Sequence, residues 1–129
     1  MAVDQDVEAI DTIRVEATEA FKNGDFETFL TYFADDAVWM PADEPPVVGK
    51  DAFREWGVQF AEASRPVHFT TSEEIVVDGN LAFDRFTLTT AEESAGAGES
   101  QESVLQGLWI LQRQANDSWK IARYIWNFN

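Results

Sequence analysis

The sequence contains no cysteine. Disulfides, thiolate metal sites and a cysteine nucleophile are thereby excluded, and the absence fits a reducing, cytoplasmic location. There is one histidine, His68. One imidazole and scattered carboxylates make no ligand set of recognisable spacing, so no metal is expected. Basic residues are scarce: 9 Lys and Arg stand against 24 Asp and Glu, a formal net charge of −15. A nucleic-acid backbone or an anionic membrane surface would repel such a chain, and neither is an expected partner. No apolar run approaches the ~18 residues needed to span a bilayer. The opening stretch, MAVDQDVEAIDTI, has neither the basic region nor the apolar core of a signal peptide. A phosphate-cradling glycine loop and a Gly-x-Ser-x-Gly elbow are also missing. The Gly-Ala-Gly segment at 96–98 opens no helix, so no nucleotide cofactor is expected.

What the chain has in quantity is aromatic residues: 10 Phe, 5 Trp and 2 Tyr in 129 residues. So many rings imply a large core, an aromatic-lined cavity or an interface. The length fits one domain, residues 1–129, with no internal repeat and no linker that would divide it.

The patterning divides the chain into a helical and a β-rich part. Val7, Ile10, Ile13, Ala17, Ala20 and Phe21 form one helical stripe. Asp4 or Asp6 is placed to cap its start, and Asn23-Gly24 to end it. Asp25 caps a second helix with Phe26, Phe29, Leu30 and Phe33 on one face. Asp35-Asp36 reads as a turn, Ala37 to Met40 as a short strand, and Pro41 as its stop. The segment PADEPPVVG, residues 41–49, cannot be helical. A third helix, Lys50 to Ser64, buries Phe53, Trp56 and Phe60. From Pro66 the period changes to two. Val67–Val77, Leu81–Thr90, Ser103–Gln114 and Trp119–Phe128 read as four long antiparallel strands. Asp78-Gly79-Asn80 and Asn116-Asp117-Ser118 are the turn signals, and residues 92–102 the flexible hairpin tip. The order predicts an α+β domain with helices on one face of a curved sheet.

That order, together with NGDFETFLTYFADDAVWMP, VVGKDAFREW and WKIARYIWN, resembles the nuclear transport factor 2-like superfamily, which includes ketosteroid isomerases, scytalone dehydratases and polyketide-cyclase-like proteins. The resemblance implies a cone-shaped, cystatin-like fold in which three N-terminal helices pack on a strongly curved, mainly antiparallel sheet. It does not by itself imply a reaction, because one cone carries isomerases, lyases, binding domains and association domains. The ketosteroid isomerase residues are not matched. The general-base Asp before the strand-ending proline falls on Met40, the oxyanion Tyr on Ala17, and the protonated Asp on Gly107 or Gln106. Without base and donors, steroid isomerisation is not the expected activity.

The resemblance does imply a pocket wall. Alternate residues of the last strand, Ala122, Tyr124 and Trp126, would face the cavity, joined by Leu105 and Trp109 and closed by Met40, Phe21 and Trp56. Such a wall suits a flat or apolar small molecule. Candidate acid–base groups are few: His68, Tyr124, and Asp43 or Glu44 in the Pro-rich loop. Arg85 and Arg123 would favour an acidic ligand if either faced inward. The expected function is a small-molecule pocket, with a cofactor-free isomerase, dehydratase or cyclase as the enzymatic form. The alternative is an association domain whose cone is filled by its own side chains. The outer sheet face, carrying Leu108, Ile110, Ile121 and Ile125, predicts a homodimer through the sheet.

Overall fold

Helix α1 (Ala2–Lys22) buries Ile10, Arg14, Ala17 and Ala20, a single stripe at helical spacing. It ends at Gly24, whose φ of +75° is the left-handed geometry that glycine adopts without strain. The computed structural model describes residues 2–41, 44–63, 67–93 and 100–128, of which 2–3, 58–63, 67–69, 90–93, 100–103 and 128 by backbone alone. Helix α2 (Phe26–Leu30) is capped by Asp25, whose carboxylate accepts from the Thr28 backbone N–H at 3.2 Å. That bond holds the Asp25 carboxyl below its ordinary range.

Helix α2 is shorter than the Phe26–Phe33 stripe predicts. Phe33 instead opens strand β1 (Phe33–Met40), where it pairs with Ile121 and its ring lies 4.7 Å from Phe29 and 4.8 Å from Trp39. Asp35 and Asp36 are not a turn. The register slips between Phe33 and Val38, and both carboxylates stand in that irregularity, exposed between buried Phe33 and Ala37. The Pro-rich segment contributes a two-residue strand, β2 (Val47–Val48), paired with β1.

Helix α3 (Lys50–Ala63) seats Phe53, which is 1% exposed. A Cβ on Gly57 would stand 3.3 Å from the Phe53 ring, so the glycine leaves that ring room. Burying a Phe stabilises by roughly 1.5–3 kcal/mol, against about 0.5–1 kcal/mol lost by glycine within a helix. The packing wins.

Strands β3 (Val67–Asp78), β4 (Leu81–Glu93), β5 (Ser100–Arg113) and β6 (Trp119–Phe128) follow as an antiparallel run. The turns fall where the sequence placed them, at Gly79 with φ +63° and Asp117 with φ +65°. Residues 94–99 of the expected hairpin tip lie outside the described residues. The six strands form one sheet in the order β2-β1-β6-β5-β4-β3, antiparallel except where β1 meets β6. Register shifts in β3 and between β5 and β6 add twist to it. The fold is α+β, with the helices preceding and covering one face of a mostly antiparallel sheet. Among the described residues no helix is long and apolar enough to cross a membrane.

One expectation about the faces is corrected. Ile121 does not lie on the outer face with Ile125. The shift between Ile110 and Leu111 turns it inward, where it is 0% exposed and opposite Leu111.

Candidate functional site: the aromatic inner face

Residues directly opposite each other in neighbouring strands point to the same face. One such row crosses the sheet from Ile75 through Asp84, Trp109, Tyr124 and Trp39 to Val47. It lies on the inner face: Asp84 and Trp39 are 0% exposed, and Trp109 is 2%. The next row is Ser72, Phe86, Gly107 and Trp126. Around these rows the rings touch in sequence. Phe86 lies 5.2 Å from Trp109 and 5.8 Å from Tyr124 between centroids. Tyr124 lies 5.7 Å from Trp109 and 4.5 Å from Trp126, and Trp126 lies 6.1 Å from Trp56. Trp56 continues to Phe53, which stacks on Trp39 at 4.5 Å.

The cover over this face is uneven. Strand β6 is flanked by β1 and β5 as far as Ile125, and beyond it, from Trp126, by β5 alone. Its Ile121 and Ala122 are fully buried, while Tyr124 and Trp126 further along are only half-buried. Trp56 on α3, which faces Trp126, is half-buried as well. Solvent therefore reaches the inner face at these three rings.

The polar groups of the site are mostly donors. The indole N–H groups of Trp39 and Trp109 are buried without a hydrogen-bond partner among the described residues, as is Nε of Arg14. The Tyr124 hydroxyl is densely surrounded although part of the ring is open. Burial pushes it well above the ordinary phenol range, and the Trp109 N–H acts weakly in the other direction.

Asp84 is the carboxylate of the row. Its oxygens receive Arg14 Nη1 at 3.4 Å and Ser72 Oγ at 3.5 Å, both long. Burial raises its carboxyl above the usual range, with Arg14 opposing. Arg14 also holds Asp11 at 2.6 Å. Asp11 and Ser72 line a shallow groove of about 370 Å³ between α1 and β3, together with Val7, Glu8, Glu73, Glu74 and Ile75. The groove is acidic and lies at the sheet edge, apart from the aromatic rings.

The predicted wall residues divide. Trp109, Tyr124, Trp126 and Trp56 come together as described, and Leu105 lies on the inner face one row beyond Gly107. Phe21 stands further back, against Phe26 at 5.4 Å and Phe29 at 5.2 Å. Ala122 is buried within the β6 irregularity. Met40 is corrected: it pairs with Ile125 and therefore faces outward, and Trp39 takes the inward place beside Tyr124. Glu44 accepts the Trp56 indole N–H at 2.8 Å, so it positions a wall residue from an exposed loop. His68 pairs with Thr90 through β3, and its side chain lies outside the described ones, as does Asp43. Arg85 binds Glu74 at 2.9 Å, and Arg123 donates to the backbone oxygens of Asp36 and Ala122. Both sit on exposed positions of the outer face. Among the described residues no group of three or more His, Asp or Glu could hold a metal ion.

Sequence reasoning missed Trp39, Asp84 and Arg14. A signal existed for Asp84: it shares its alternation with Ala82, Phe86 and Leu88, all buried. A charge in the apolar phase of a strand requires a buried partner.

With this geometry in hand, the family model described as a SnoaL-like domain matches residues 15–124. The chain belongs to the SnoaL-like family. No curated protein matches it. Among solved structures, this SnoaL-like domain is similar to a ketosteroid isomerase-like protein from Erwinia carotovora atroseptica. The two share 25% identity, with 94% of each chain covered and a TM-score of 0.85. It is similar to a proposed dehydratase of the nuclear transport factor 2-like family from Streptomyces avermitilis, at 17% identity, 98% of each chain and a TM-score of 0.86. A third likeness is to a proposed calcium/calmodulin-dependent protein kinase type II association domain from Thiobacillus denitrificans. Identity there is 13%, coverage 92% of this chain and 94% of that one, and the TM-score 0.76. The last two likenesses concern the fold alone. The SnoaL-like domain thus shares its scaffold with proteins described as enzyme-like and as an association domain, and its own side chains must decide between those uses.

Proposed function

We propose that this SnoaL-like domain binds a flat, apolar or aromatic small molecule against the inner face of its sheet. The observation that carries the reading is the partial exposure of Tyr124, on the part of β6 flanked by both β1 and β5, beside partly exposed Trp126 and Trp56. A cone filled by its own side chains would close over these three rings, which disfavours the association-domain alternative. Leu105, Trp109, Tyr124, Trp126 and Trp56 form the wall, with Phe21 behind it. Should the domain turn its ligand over, a cofactor-free isomerisation, dehydration or cyclisation fits a site of rings and donors. The same reading includes a homodimer built through the outer face.

The test is titration with N-phenyl-1-naphthylamine, a neutral flat fluorophore. Saturable binding at one molecule per chain is expected. Trp126→Ala should weaken it by roughly tenfold, the order of one aromatic contact. A linear, unsaturable signal from the unmodified protein overturns the reading.

A further inference from the structure

Where solvent reaches the inner face, three rings meet one carboxylate. Trp126 touches both of its neighbours, Tyr124 at 4.5 Å and Trp56 at 6.1 Å between centroids. The planes are tilted by 54° and 60°, so neither contact is a face-to-face stack. All three rings are partly exposed. Glu44 stands at this rim, where one carboxylate oxygen accepts the Trp56 indole N–H at 2.8 Å. Among the described residues no Lys or Arg pairs with Glu44. The arginines are engaged elsewhere: Arg14 by Asp11 and Asp84, Arg54 by Glu27 and Asp51, Arg85 by Glu74, and Arg113 by Asp6. The face of an aromatic ring is the negative part of its quadrupole, and a carboxylate at the indole N–H adds electron density to it. An uncompensated carboxylate beside exposed rings, on a chain of net charge −15, makes the rim a region of negative potential.

We infer that the rim of Tyr124, Trp126 and Trp56, with Glu44, holds an alkylated ammonium group, and that the ligand is a flat aromatic body carrying that cation at its outer end. The inference rests on the pocket reading above and names its ligand chemistry. The ring-lined face takes the apolar body, and the rim takes the charge. A fully alkylated nitrogen has no N–H to donate, so ring faces and one nearby carboxylate satisfy it without further acceptors. A primary ammonium would need acceptors for three N–H groups, and Glu44 is the one carboxylate placed at the rim among the described residues. An anionic ligand would meet a carboxylate and the negative faces of the rings, which selects against it.

Two probes of nearly equal shape test the inference. Trimethyl(naphthalen-2-ylmethyl)ammonium and 2-neopentylnaphthalene differ by a charged nitrogen in place of one carbon. Water favours the cation, so a pocket of rings alone binds the hydrocarbon more tightly. Displacement of N-phenyl-1-naphthylamine should show the cation binding more tightly here, by roughly tenfold. Glu44→Gln keeps an oxygen to accept the Trp56 N–H and removes the charge. It should abolish most of the preference and leave the affinity for 2-neopentylnaphthalene unchanged. Asp78→Asn removes an equal charge from the end of β3, at the far edge of the sheet, and should leave the preference intact. In the unmodified protein the N-methyl proton resonance of the bound cation should move upfield, because ring faces shield it. That shift does not depend on any variant folding. Equal or tighter binding of the hydrocarbon, an unshifted N-methyl resonance, or a preference that Glu44→Gln spares or Asp78→Asn removes equally, overturns this inference while the pocket stands. Binding of neither probe overturns the pocket and this inference together.

Discussion

Gly107 shows how much a single absent side chain can decide. It faces Phe86 and Trp126 in the sheet, and a Cβ built there would lie 2.6 Å from Phe86 Cζ. The Phe86 ring lies across the glycine and from there reaches Trp109 and Tyr124. Gly107→Ala is therefore expected to lose about 1–3 kcal/mol through overpacking of a 1%-exposed ring. Urea denaturation should show the loss, and the loss should shrink when Phe86→Leu is added. Undiminished stability of the single variant would mean that the ring is not held where described. The two tyrosines offer a second check. The Glu16 carboxylate, accepting the Tyr32 hydroxyl at 2.7 Å, pushes that phenol up to about 12, and burial pushes Tyr124 up too. Each native phenol holds its proton beyond the unfolded value near 10. The associated stability is full below that pH and falls as pH rises above it. Absorbance of the folded protein at 295 nm should show little phenolate at pH 10 and a step on adding denaturant. A full native titration at pH 10 would contradict both placements.

At the scale of elements, the sheet and the first helix are joined by a compact polar cluster. Arg113 at the end of β5 donates to both carboxylate oxygens of Asp6 at 3.0 and 2.7 Å. The Trp119 indole on β6 donates to the same carboxylate at 3.1 Å, and Arg113 stacks over the Trp119 ring at 4.4 Å. These donors hold the Asp6 carboxyl below its ordinary range. The stabilisation is present above the unfolded carboxylate value and is lost as pH falls through the lowered one. Asp6→Asn should accelerate amide exchange in the first turns of α1 at neutral pH while α3 is unaffected. Unchanged exchange there would remove the cluster's role. The sequence suggested Asp6 only as a helix cap, because its partners lie more than a hundred positions away and no local pattern announces them. Local signals were legible: the helical stripes of α1 and α3, the glycine turn at 79, and the period of two from β3 onward. Bulges were not, because inserting one residue into a strand changes every later face without changing composition. That is why Met40 and Ile121 were expected on the wrong faces, and why Trp39 went unnoticed beside its neighbour Met40.

At the scale of the whole molecule, the outer face leaves an apolar surface without a layer over it among the described residues. Met40, Ile125 and Leu108 lie side by side across β1, β6 and β5, and Val104 and Ile125 are 39% and 45% exposed. The proposed homodimer covers this centre and leaves the polar β3–β4 side, with its Arg85–Glu74 pair, at the rim. Sedimentation at micromolar concentration should give twice the chain mass, and Ile125→Asp should give monomers that keep their fold. A monomeric unmodified protein would sink the proposal. The pairing of β1 with β6 has a consequence for biosynthesis. A ribosome delivers β1 early, yet the strand that seals it arrives only after β3, β4 and β5 have been made. Until then Phe29, Phe33, Trp39 and Phe53 have helices beside them but no sheet to complete their enclosure. The nascent chain thus carries unsealed apolar surface for most of its synthesis, and the final strand is the latch that closes it.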